Sequence, residues 1–237
     1  MRVGIHQPHY LPWLRYFEKI ARSDVFIVLD DVQYEKNGFQ NRNKIKTPQG
    51  WTYLTVPVRK PTLRPIREME IDHHSGWAEK HRRSIEMSYR KAPHFAAYWP
   101  EIEALYAEPG DLLGEFNRRM VECFCRLLGI STRLVLSSEI ETHGESTERI
   151  AELCRAVGGD VYLSGAFAVG AYLDPAVLKQ HGVRLAFQEW HAPIYPQVYP
   201  NAGFVPDLAI VDLLFSQGPA SLDLLLSSGS VQDAPDA

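Results

Sequence analysis

Two histidines, His6 and His9, lie in a proline-rich segment that follows a short apolar run at the start of the sequence. Because imidazole titrates near neutral pH, either ring could accept or donate a proton in a catalytic step. We predict that His6 is a catalytic base or proton shuttle, and that Gln7 and Tyr10 of the same segment bind substrate. The alternative is that His6 is a buried residue at a strand end and that the prolines only shape the loop.

Two carboxylates, Asp30 and Asp31, follow the second apolar run of the sequence, residues 25–29. At the carboxyl end of a strand they could hold a metal ion, a ribose or an amine. We predict that Asp30 and Asp31 are catalytic residues, one of which orients an amine, and that the nearby Gln33 binds substrate. Asp is also common in turns where strands end, and ordinary turn chemistry is the alternative.

A basic segment runs from Lys36 to Arg67, with eight Lys or Arg residues and no Asp or Glu. It is unusual because the whole chain has a formal net charge of −4. An Arg fork and a mobile Lys both suit phosphate, so we predict that Asn41, Arg42 and Lys44 bind a phosphate-bearing small molecule or a carrier-linked substrate. The alternative is a solvated loop that pairs with acidic segments elsewhere. No nucleic-acid-binding module is recognisable, so we do not expect a nucleic-acid partner.

Three residues of the second half of the chain, Ser164, Tyr195 and Gln197, are also predicted to bind substrate. Ser164 precedes Gly165 at the end of an apolar run, where the backbone can approach a ligand closely. Tyr195 and Gln197 lie in a segment rich in Pro and Tyr, which would form a rigid loop over a pocket or would simply pack through its rings. We predict no metal site, because neither the adjacent histidines at 73 and 74 nor the cysteines have metal-ligand spacing.

The elements that must position these residues alternate between strands and helices. Apolar runs predict strands near residues 2–5, 25–29, 51–58, 133–136, 161–163 and 183–187. Helical spacing predicts helices near residues 12–22, 77–92, 112–128, 146–157, 208–215 and 220–226. This alternation predicts an α/β fold: a mostly parallel open sheet with flanking helices and a helical middle segment of about residues 70–130. We expect one domain, residues 1–237, with a frayed acidic tail at about 228–237.

The composition is that of an ordinary globular protein. The 237 residues are 45% hydrophobic and 23% charged, which excludes an intrinsically disordered chain. No apolar run approaches the roughly 18–20 residues that cross a bilayer, and the first twelve residues lack the apolar segment of a signal peptide. Three cysteines cannot form a disulfide framework, so we expect a cytoplasmic protein without membrane insertion.

Several segments together form a pattern that covers nearly the whole chain. They are His6-Gln7-Pro8-x-Tyr10-Leu11-Pro12-Trp13, Leu29-Asp30-Asp31-Val32-Gln33, Gln40-Asn41-Arg42-Asn43-Lys44, Tyr162-Leu163-Ser164-Gly165, Tyr195-Pro196-Gln197 and Asp212-Leu213-Leu214-Phe215. This pattern resembles the WbqC-like protein family of bacteria. The resemblance implies a cytoplasmic enzyme encoded among genes for surface polysaccharide or other specialised products. Some members carry a label of glycine or aminoacyl transfer to a sugar. In the family Asn often occupies the position of His9, which favours His6 as the catalytic histidine.

Three hypotheses about function follow from these residues and this resemblance. The leading one is a transferase that transfers or activates a small acyl or aminoacyl group, such as glycine, on a sugar or amine. The second is a nucleotide-dependent enzyme related in plan to the nucleotidyltransferases with a paired-histidine loop, whose second histidine is missing here. The third is a non-catalytic protein that binds nucleotide sugars. No motif identifies a cofactor or an oligomeric state.

Overall fold

The computed structural model describes residues 1–60, 63–165 and 173–234. Its strands are β1 (Arg2–His6), β2 (Val25–Val28), β3 (Arg42–Thr47), β4 (Gly50–Thr55), β5 (Arg133–Leu136), β6 (Val161–Gly165), β7 (Arg184–Trp190) and β8 (Gly229–Asp233). Its α-helices are α1 (Leu14–Ala21), α2 (Trp77–Tyr89), α3 (Phe95–Ala107), α4 (Leu113–Leu128), α5 (Ser146–Ala156), α6 (Pro175–Gln180), α7 (Ile210–Gln217) and α8 (Ser221–Ser227).

Six strands form one open sheet in the order β5-β2-β1-β6-β7-β8, and β3 and β4 form a separate antiparallel hairpin. Neighbouring strands of the open sheet are parallel except for β7 and β8. β2 is buried at every position, as expected for a parallel strand that helices cover on both faces. The predicted α/β fold, with its mostly parallel open sheet, flanking helices and helical middle segment of α2 to α4, is confirmed.

A glycine in β1 fixes how closely the first helix approaches the sheet. Val3 and Ile5 face a core that β1 shares with α5. Gly4 faces the opposite side, where an added Cβ atom would collide with the Ser23 hydroxyl and the Phe26 ring. The absence of a side chain at Gly4 therefore lets the end of α1 lie directly against the sheet, which fixes the course of the loop between β1 and α1.

The order of the strands reverses between β1 and β6. The chain proceeds from β1 to β2 on one side of this boundary and from β6 to β7 on the other. The hydrogen-bonded ladder between β1 and β6 ends at Gly4 and Leu163, although both strands run two residues further, to His6 and Gly165. In open α/β sheets, ligands bind in the crevice at such a reversal, outside the carboxyl ends of the strands. The topology therefore indicates the end of β1 as the place for a site.

The prediction of a frayed tail from about residue 228 is wrong for the first part of that tail, because Gly229–Asp233 forms the edge strand β8. Gly229 lies opposite Trp190 of β7, and its carbonyl oxygen accepts a hydrogen bond from Arg22. Arg22 is also paired at 2.9 Å with the fully buried Glu18 of α1. The small polar residues of this segment predict disorder, but the open edge of β7 offers unpaired backbone groups, and the segment pairs with them. Residues 235–237 of the predicted tail lie outside the described residues.

Two helices, α3 and α6, were missing from the sequence prediction. α3 contains Pro100 in its interior, and proline usually breaks a helix because it lacks an amide hydrogen. α6 has only six residues, and its signal is local: the Asp174 side chain caps it by accepting from the Ala176 amide, and Pro175 follows. The spacing of apolar residues therefore does not predict either helix.

Candidate functional site

His6 ends β1 at the crevice, with part of its side chain exposed. Its Nδ1 atom lies 3.1 Å from the carbonyl oxygen of Gln7. Because a carbonyl oxygen can only accept, Nδ1 carries the proton and the lone pair is on Nε2. Burial, reinforced by the positive charges of Lys19 and Arg15, lowers the pKa of His6 to about 3. His6 is therefore neutral at physiological pH and presents one defined atom, Nε2, as a base.

Aromatic rings surround His6 in what we call the histidine recess, formed by His6, His9, Trp13, Tyr16 and Phe39. The His6 ring centroid lies 4.6 Å from that of His9 and 5.1 Å from that of Tyr16. Trp13 and Phe39 extend the wall, with ring centroids 4.2 Å apart. His9 is buried, which lowers its pKa, and its Nδ1 atom has no hydrogen-bond partner in the described part of the chain. The recess thus keeps two neutral imidazoles in apolar surroundings.

Two cations of α1, Arg15 and Lys19, lie one helical turn apart beside the recess. Arg15 is exposed, and its guanidinium carbon is 5.7 Å from the centre of the Trp13 ring. Lys19 is buried, and its Nζ atom donates to the carbonyl oxygen of Ile5 at 2.9 Å. Burial and the neighbouring charge of Arg15 lower the pKa of Lys19 to about 7. Sequence reasoning missed both residues, although their spacing of four on the helix after the histidine loop is a usable signal.

Amide side chains from elsewhere in the chain hold the loop of residues 7–13 in place. Gln40 Nε2 donates to Gln7 Oε1 at 2.8 Å, and Asn117 Nδ2 donates to the Gln40 carbonyl oxygen at 2.7 Å. Asn43 Nδ2 donates to the carbonyl oxygen of Leu11 at 2.6 Å. Leu11 has φ of +44°, a conformation that costs a non-glycine residue about 1–3 kcal/mol and persists only where the surroundings hold it. The loop is therefore preorganised by its neighbours.

Tyr10, predicted to bind substrate, has no exposed surface. Its hydroxyl oxygen lies 2.8 Å from His81 Nδ1 and 2.8 Å from the hydroxyl of Tyr106. Burial lowers the pKa of His81 to about 4, so this imidazole is neutral. Because both hydrogen-bonding directions of the Tyr10 hydroxyl are used within the core, Tyr10 supports the loop from below and does not face the crevice.

The carboxylates of Asp30 and Asp31 are used in hydrogen bonds that join the ends of β2 and β5. Asp30 is buried, accepts from the amide and hydroxyl of Ser138, and donates its own amide hydrogen to the Ser137 hydroxyl oxygen. Asp31 accepts from Ser137 and from Arg149 of α5, both at 2.6 Å. Burial alone would raise the pKa of Asp31, but the hydrogen bonds from Arg149 and Ser137 hold it below its ordinary value. The structure thus places both residues one strand away from His6, in structural pairings.

The predicted phosphate ligands Arg42 and Lys44 point away from the histidine loop. Successive side chains of a strand point to opposite faces, and Asn43, between them, bonds to the loop. Arg42 and Lys44 therefore lie on the other face of β3. Asn41 is buried and donates to the carbonyl oxygen of Val56. The structure therefore does not bring Arg42 together with His6.

Ser164 lies close to the recess, whereas Gln33 does not contact it. Continuing the β1–β6 register places Ser164 beside Ile5 and Gly165 beside His6, one strand spacing away. Ser164 is fully buried and its hydroxyl donates to the carbonyl oxygen of Gly165. Gln33 is exposed, and its backbone bridges to Pro65. Among the described residues, no hydrogen bond or ring contact joins Gln33 to the recess.

The predicted residues Tyr195 and Gln197 converge on a buried carboxylate, Asp212, that sequence reasoning did not include in the site. The Tyr195 hydroxyl and Gln197 Nε2 each donate to Asp212 Oδ2 at 2.9 Å. Lys46 approaches from β3 and donates to Gln197 Oε1 at 3.3 Å and to the Gly203 carbonyl oxygen. Burial raises the pKa of Asp212 to about 6. This network pins the segment after β7 onto the hairpin and α7.

A surface cavity of about 780 Å³ lies between α2 and α3, in the helical middle segment. Its lining includes Trp77, Tyr106, Glu79, Arg82 and Glu103. The charges in it satisfy one another, because Arg82 pairs at 2.8 Å with both Glu79 and Glu103. His73, the imidazole in its lining, lies 3.4 Å from Asp111, and the cavity is away from the carboxyl edge of the sheet. The histidine recess, at the carboxyl end of β1, is the better candidate site on chemical grounds.

The described residues hold neither a metal-binding cluster nor a membrane-spanning helix. They contain no group of three or more His, Cys, Asp or Glu side chains that could hold a metal ion. Within the same residues, none of the helices is both long and apolar enough to span a bilayer.

Comparison with known proteins places these features in a family context. The model of the WbqC-like protein family matches residues 7–224. A curated protein of Mycobacterium tuberculosis, described only as uncharacterized, is 39% identical over 228 residues, which cover 94% of this chain and 97% of that protein. No solved structure matches. The family match begins at Gln7 and so includes the loop that follows His6 and both cations of α1.

Proposed function

This chain belongs to the WbqC-like protein family, and we propose that it is an enzyme that transfers or activates a small acyl or aminoacyl group on an amine or a sugar hydroxyl. The observation that carries the proposal is the state of His6. Its proton is fixed on Nδ1 by the Gln7 carbonyl oxygen, which leaves Nε2 as a base at the reversal point of the sheet. His6 takes the catalytic role; Gln7 and Ser164 border it.

In the proposed reaction, the acceptor nitrogen or oxygen attacks the carbonyl carbon of the donor. His6 Nε2 takes the proton that the acceptor loses, and the bond between the carbonyl carbon and the donor's oxygen or sulfur breaks. His6 then returns the proton to that leaving atom, so the enzyme ends in its starting state. The fixed tautomer supports this role, because the base does not have to reorganise before it accepts the proton.

The low pKa of His6 connects the reaction to a phosphate-bearing substrate. A base works best when its pKa lies near the working pH, and a value of about 3 is too low for this role. Two of the causes are the positive charges of Lys19 and Arg15. A phosphate bound beside these cations would offset their charge and raise the pKa of His6. We therefore propose that the substrate's own phosphate activates the base when it binds.

The test offers the full chain aminoacyl phosphates and carrier-linked acyl thioesters as donors, each with amines, sugars and nucleotide sugars as acceptors. Mass spectrometry detects the acylated acceptor. His6→Asn keeps a donor for the Gln7 carbonyl oxygen but has no lone pair in place of Nε2, so we expect about a 10²–10⁴-fold loss of turnover. His74→Asn, at an exposed position, is the matched control and is expected to retain turnover.

Three results would contradict the proposal. Equal turnover by His6→Asn and the unaltered protein would remove His6 from the chemistry. Ligand binding without product from any of these donors and acceptors would favour the non-catalytic binder of nucleotide sugars. Release of pyrophosphate from a nucleotide, without an acylated product, would favour the nucleotidyltransferase hypothesis instead.

A further inference from the structure

The outer surface of the β3–β4 hairpin carries a second set of groups suited to a ligand. We call it the cationic hairpin face and define it by Arg42, Lys44, Trp51 and Tyr53. The inward positions of the hairpin, such as Ile45 and Leu54, are buried in the core. Arg42 and Lys44 flank the buried Asn43 on β3, Tyr53 lies opposite Lys44, and Trp51 shares the face of Tyr53, so the four half-buried or exposed side chains lie on one face of the hairpin.

Cations and rings of the cationic hairpin face are stacked in pairs across the two strands. The Arg42 guanidinium carbon is 4.8 Å from the centre of the Tyr53 ring, and Lys44 Nζ is 5.3 Å from the centre of the Trp51 ring. The two rings lie 5.2 Å apart in an edge-to-face arrangement. The rings remain accessible, since Trp51 is 49% exposed and Tyr53 is 39% exposed. Exposed rings of this size are suited to stacking against another flat group.

The positive charge of this face is not neutralised by neighbouring acids. The segment from Lys36 to Arg67 contains no Asp or Glu. Further along it, Arg59 and Arg64 both pair with Glu70. Within the described residues, by contrast, no ion pair joins Arg42 or Lys44 to a carboxylate. These two cations are therefore available to an anion from solution.

A third exposed ring, that of Phe204, follows a residue that Lys46 of the hairpin contacts. Lys46 lies directly opposite Trp51 across the hairpin and donates to the carbonyl oxygen of Gly203. The next residue, Phe204, is 40% exposed, and its ring centroid lies 5.8 Å from that of Tyr195. Trp51, Tyr53 and Phe204 are the exposed large aromatic side chains of the described part of the chain.

We propose that the cationic hairpin face binds a nucleoside phosphate, with the base against the exposed rings and the phosphates on Arg42 and Lys44. Arg and Lys side chains suit phosphate, and every base has a flat face that stacks on an aromatic ring. A nucleic-acid strand fits less well. Its affinity depends on many phosphate contacts, whereas this face has two free cations on a chain with a net charge of −4.

This proposal does not rest on the function proposed for the histidine recess. Asn43 turns its side chain toward Leu11 in the histidine loop, so its neighbours Arg42 and Lys44 face the opposite way. A nucleotide on the hairpin face is therefore separated from His6 by the strand β3 itself. The two sites can be tested, and can fail, independently.

The experiment measures the binding of ADP and UDP to the full chain by isothermal titration calorimetry, with tryptophan fluorescence as a second readout. We expect binding by both diphosphates and quenching of Trp51. Trp51→Ala and Lys44→Gln are each expected to weaken binding about tenfold or more. Lys60→Gln, in the same basic segment but outside the face, is the matched control and is expected to retain affinity. All substituted positions are half-buried or exposed, and circular dichroism checks the fold of each variant.

Three outcomes would overturn the proposal. The first is no measurable binding of either diphosphate. The second is binding that Trp51→Ala and Lys44→Gln leave unchanged, which would place the nucleotide elsewhere. The third is tighter binding of a single-stranded oligothymidylate than of UDP, with the oligothymidylate affinity lowered by the same two variants. That result would identify a nucleic-acid-binding surface instead.

Discussion

Acidification is expected to destabilise this protein through His6. The pKa of this residue is lowered to about 3 in the folded chain, from an ordinary value of 6.5. Between these two values the unfolded chain binds a proton that the folded chain does not bind. The free energy of unfolding therefore falls as the pH drops below 6.5 toward 3, and the contribution of His6 is fully present only above 6.5.

The size of this effect follows from proton linkage. Between pH 7 and pH 5, one histidine that titrates at 6.5 only in the unfolded chain lowers the free energy of unfolding by about 1.9 kcal/mol. The His6 side chain keeps part of its surface in solvent, and screening reduces the expected value to about 1–2 kcal/mol. His81, with a pKa lowered to about 4 by burial, adds a similar contribution of its own. The contribution of His6 must therefore be isolated with a variant.

The assay is urea unfolding followed by tryptophan fluorescence at pH 7, 6 and 5. His6→Asn retains a hydrogen-bond donor for the Gln7 carbonyl oxygen and cannot titrate. We expect its loss of stability between pH 7 and pH 5 to be smaller than that of the unaltered protein by about 1–2 kcal/mol, whatever its stability at pH 7. His74→Asn, at an exposed position, is expected to change nothing. An unchanged pH dependence in His6→Asn would refute the assignment of a neutral, fixed His6.

Three further substitutions test the supports of the site by urea unfolding. Asn43→Ala leaves the Leu11 carbonyl oxygen without its donor and is expected to cost about 1–3 kcal/mol; a cost near zero would mean that the loop holds itself. Gly4→Ala puts a methyl group against the Ser23 hydroxyl and is expected to cost about 1–3 kcal/mol, which an unaltered midpoint would contradict. Asp212 has a pKa raised to about 6, so its protonation stabilises the folded chain by about 1 kcal/mol as the pH falls from 7 to 5. Asp212→Asn should therefore lose stability more steeply over that range, and a shallower loss would argue against a buried, protonating carboxyl.

The fold was predictable because its signals are local. The apolar run of β2 and the helical spacing of α1 each lie within one short window, and alternation of such windows determines the fold class. β8 was not predictable in this way, because its reason for forming is the open edge of β7, about forty residues earlier in the chain. α3 was not predicted because Pro100 is a strong local signal against a helix. In the folded chain, packing overrides that signal.

The site was predictable in its location and only partly in its membership. His6 is the last residue of β1, and the rule for strand ends identified it before the strand order was known. The direction of the Arg42 side chain could not be predicted, because it depends on which residues of β3 face inward. The hydrogen bond from Asn43 to Leu11, which is distant in sequence, determines that choice. Lys19 resembles an ordinary surface residue of an amphipathic helix. Its burial is a consequence of the close approach that Gly4 permits.

The pairing of Arg22 with the carbonyl oxygens of Leu226 and Gly229 has a consequence for how the chain folds during synthesis. These contacts span 204 and 207 residues. A ribosome releases the first helix, together with its Glu18–Arg22 ion pair, long before it makes Leu226 and Gly229, whose carbonyl oxygens accept from Arg22. We therefore expect the amino-terminal βαβ unit to remain loosely packed until β8 has been synthesised. Such long-range closure is slow, and a partly folded chain exposes apolar surface that favours aggregation.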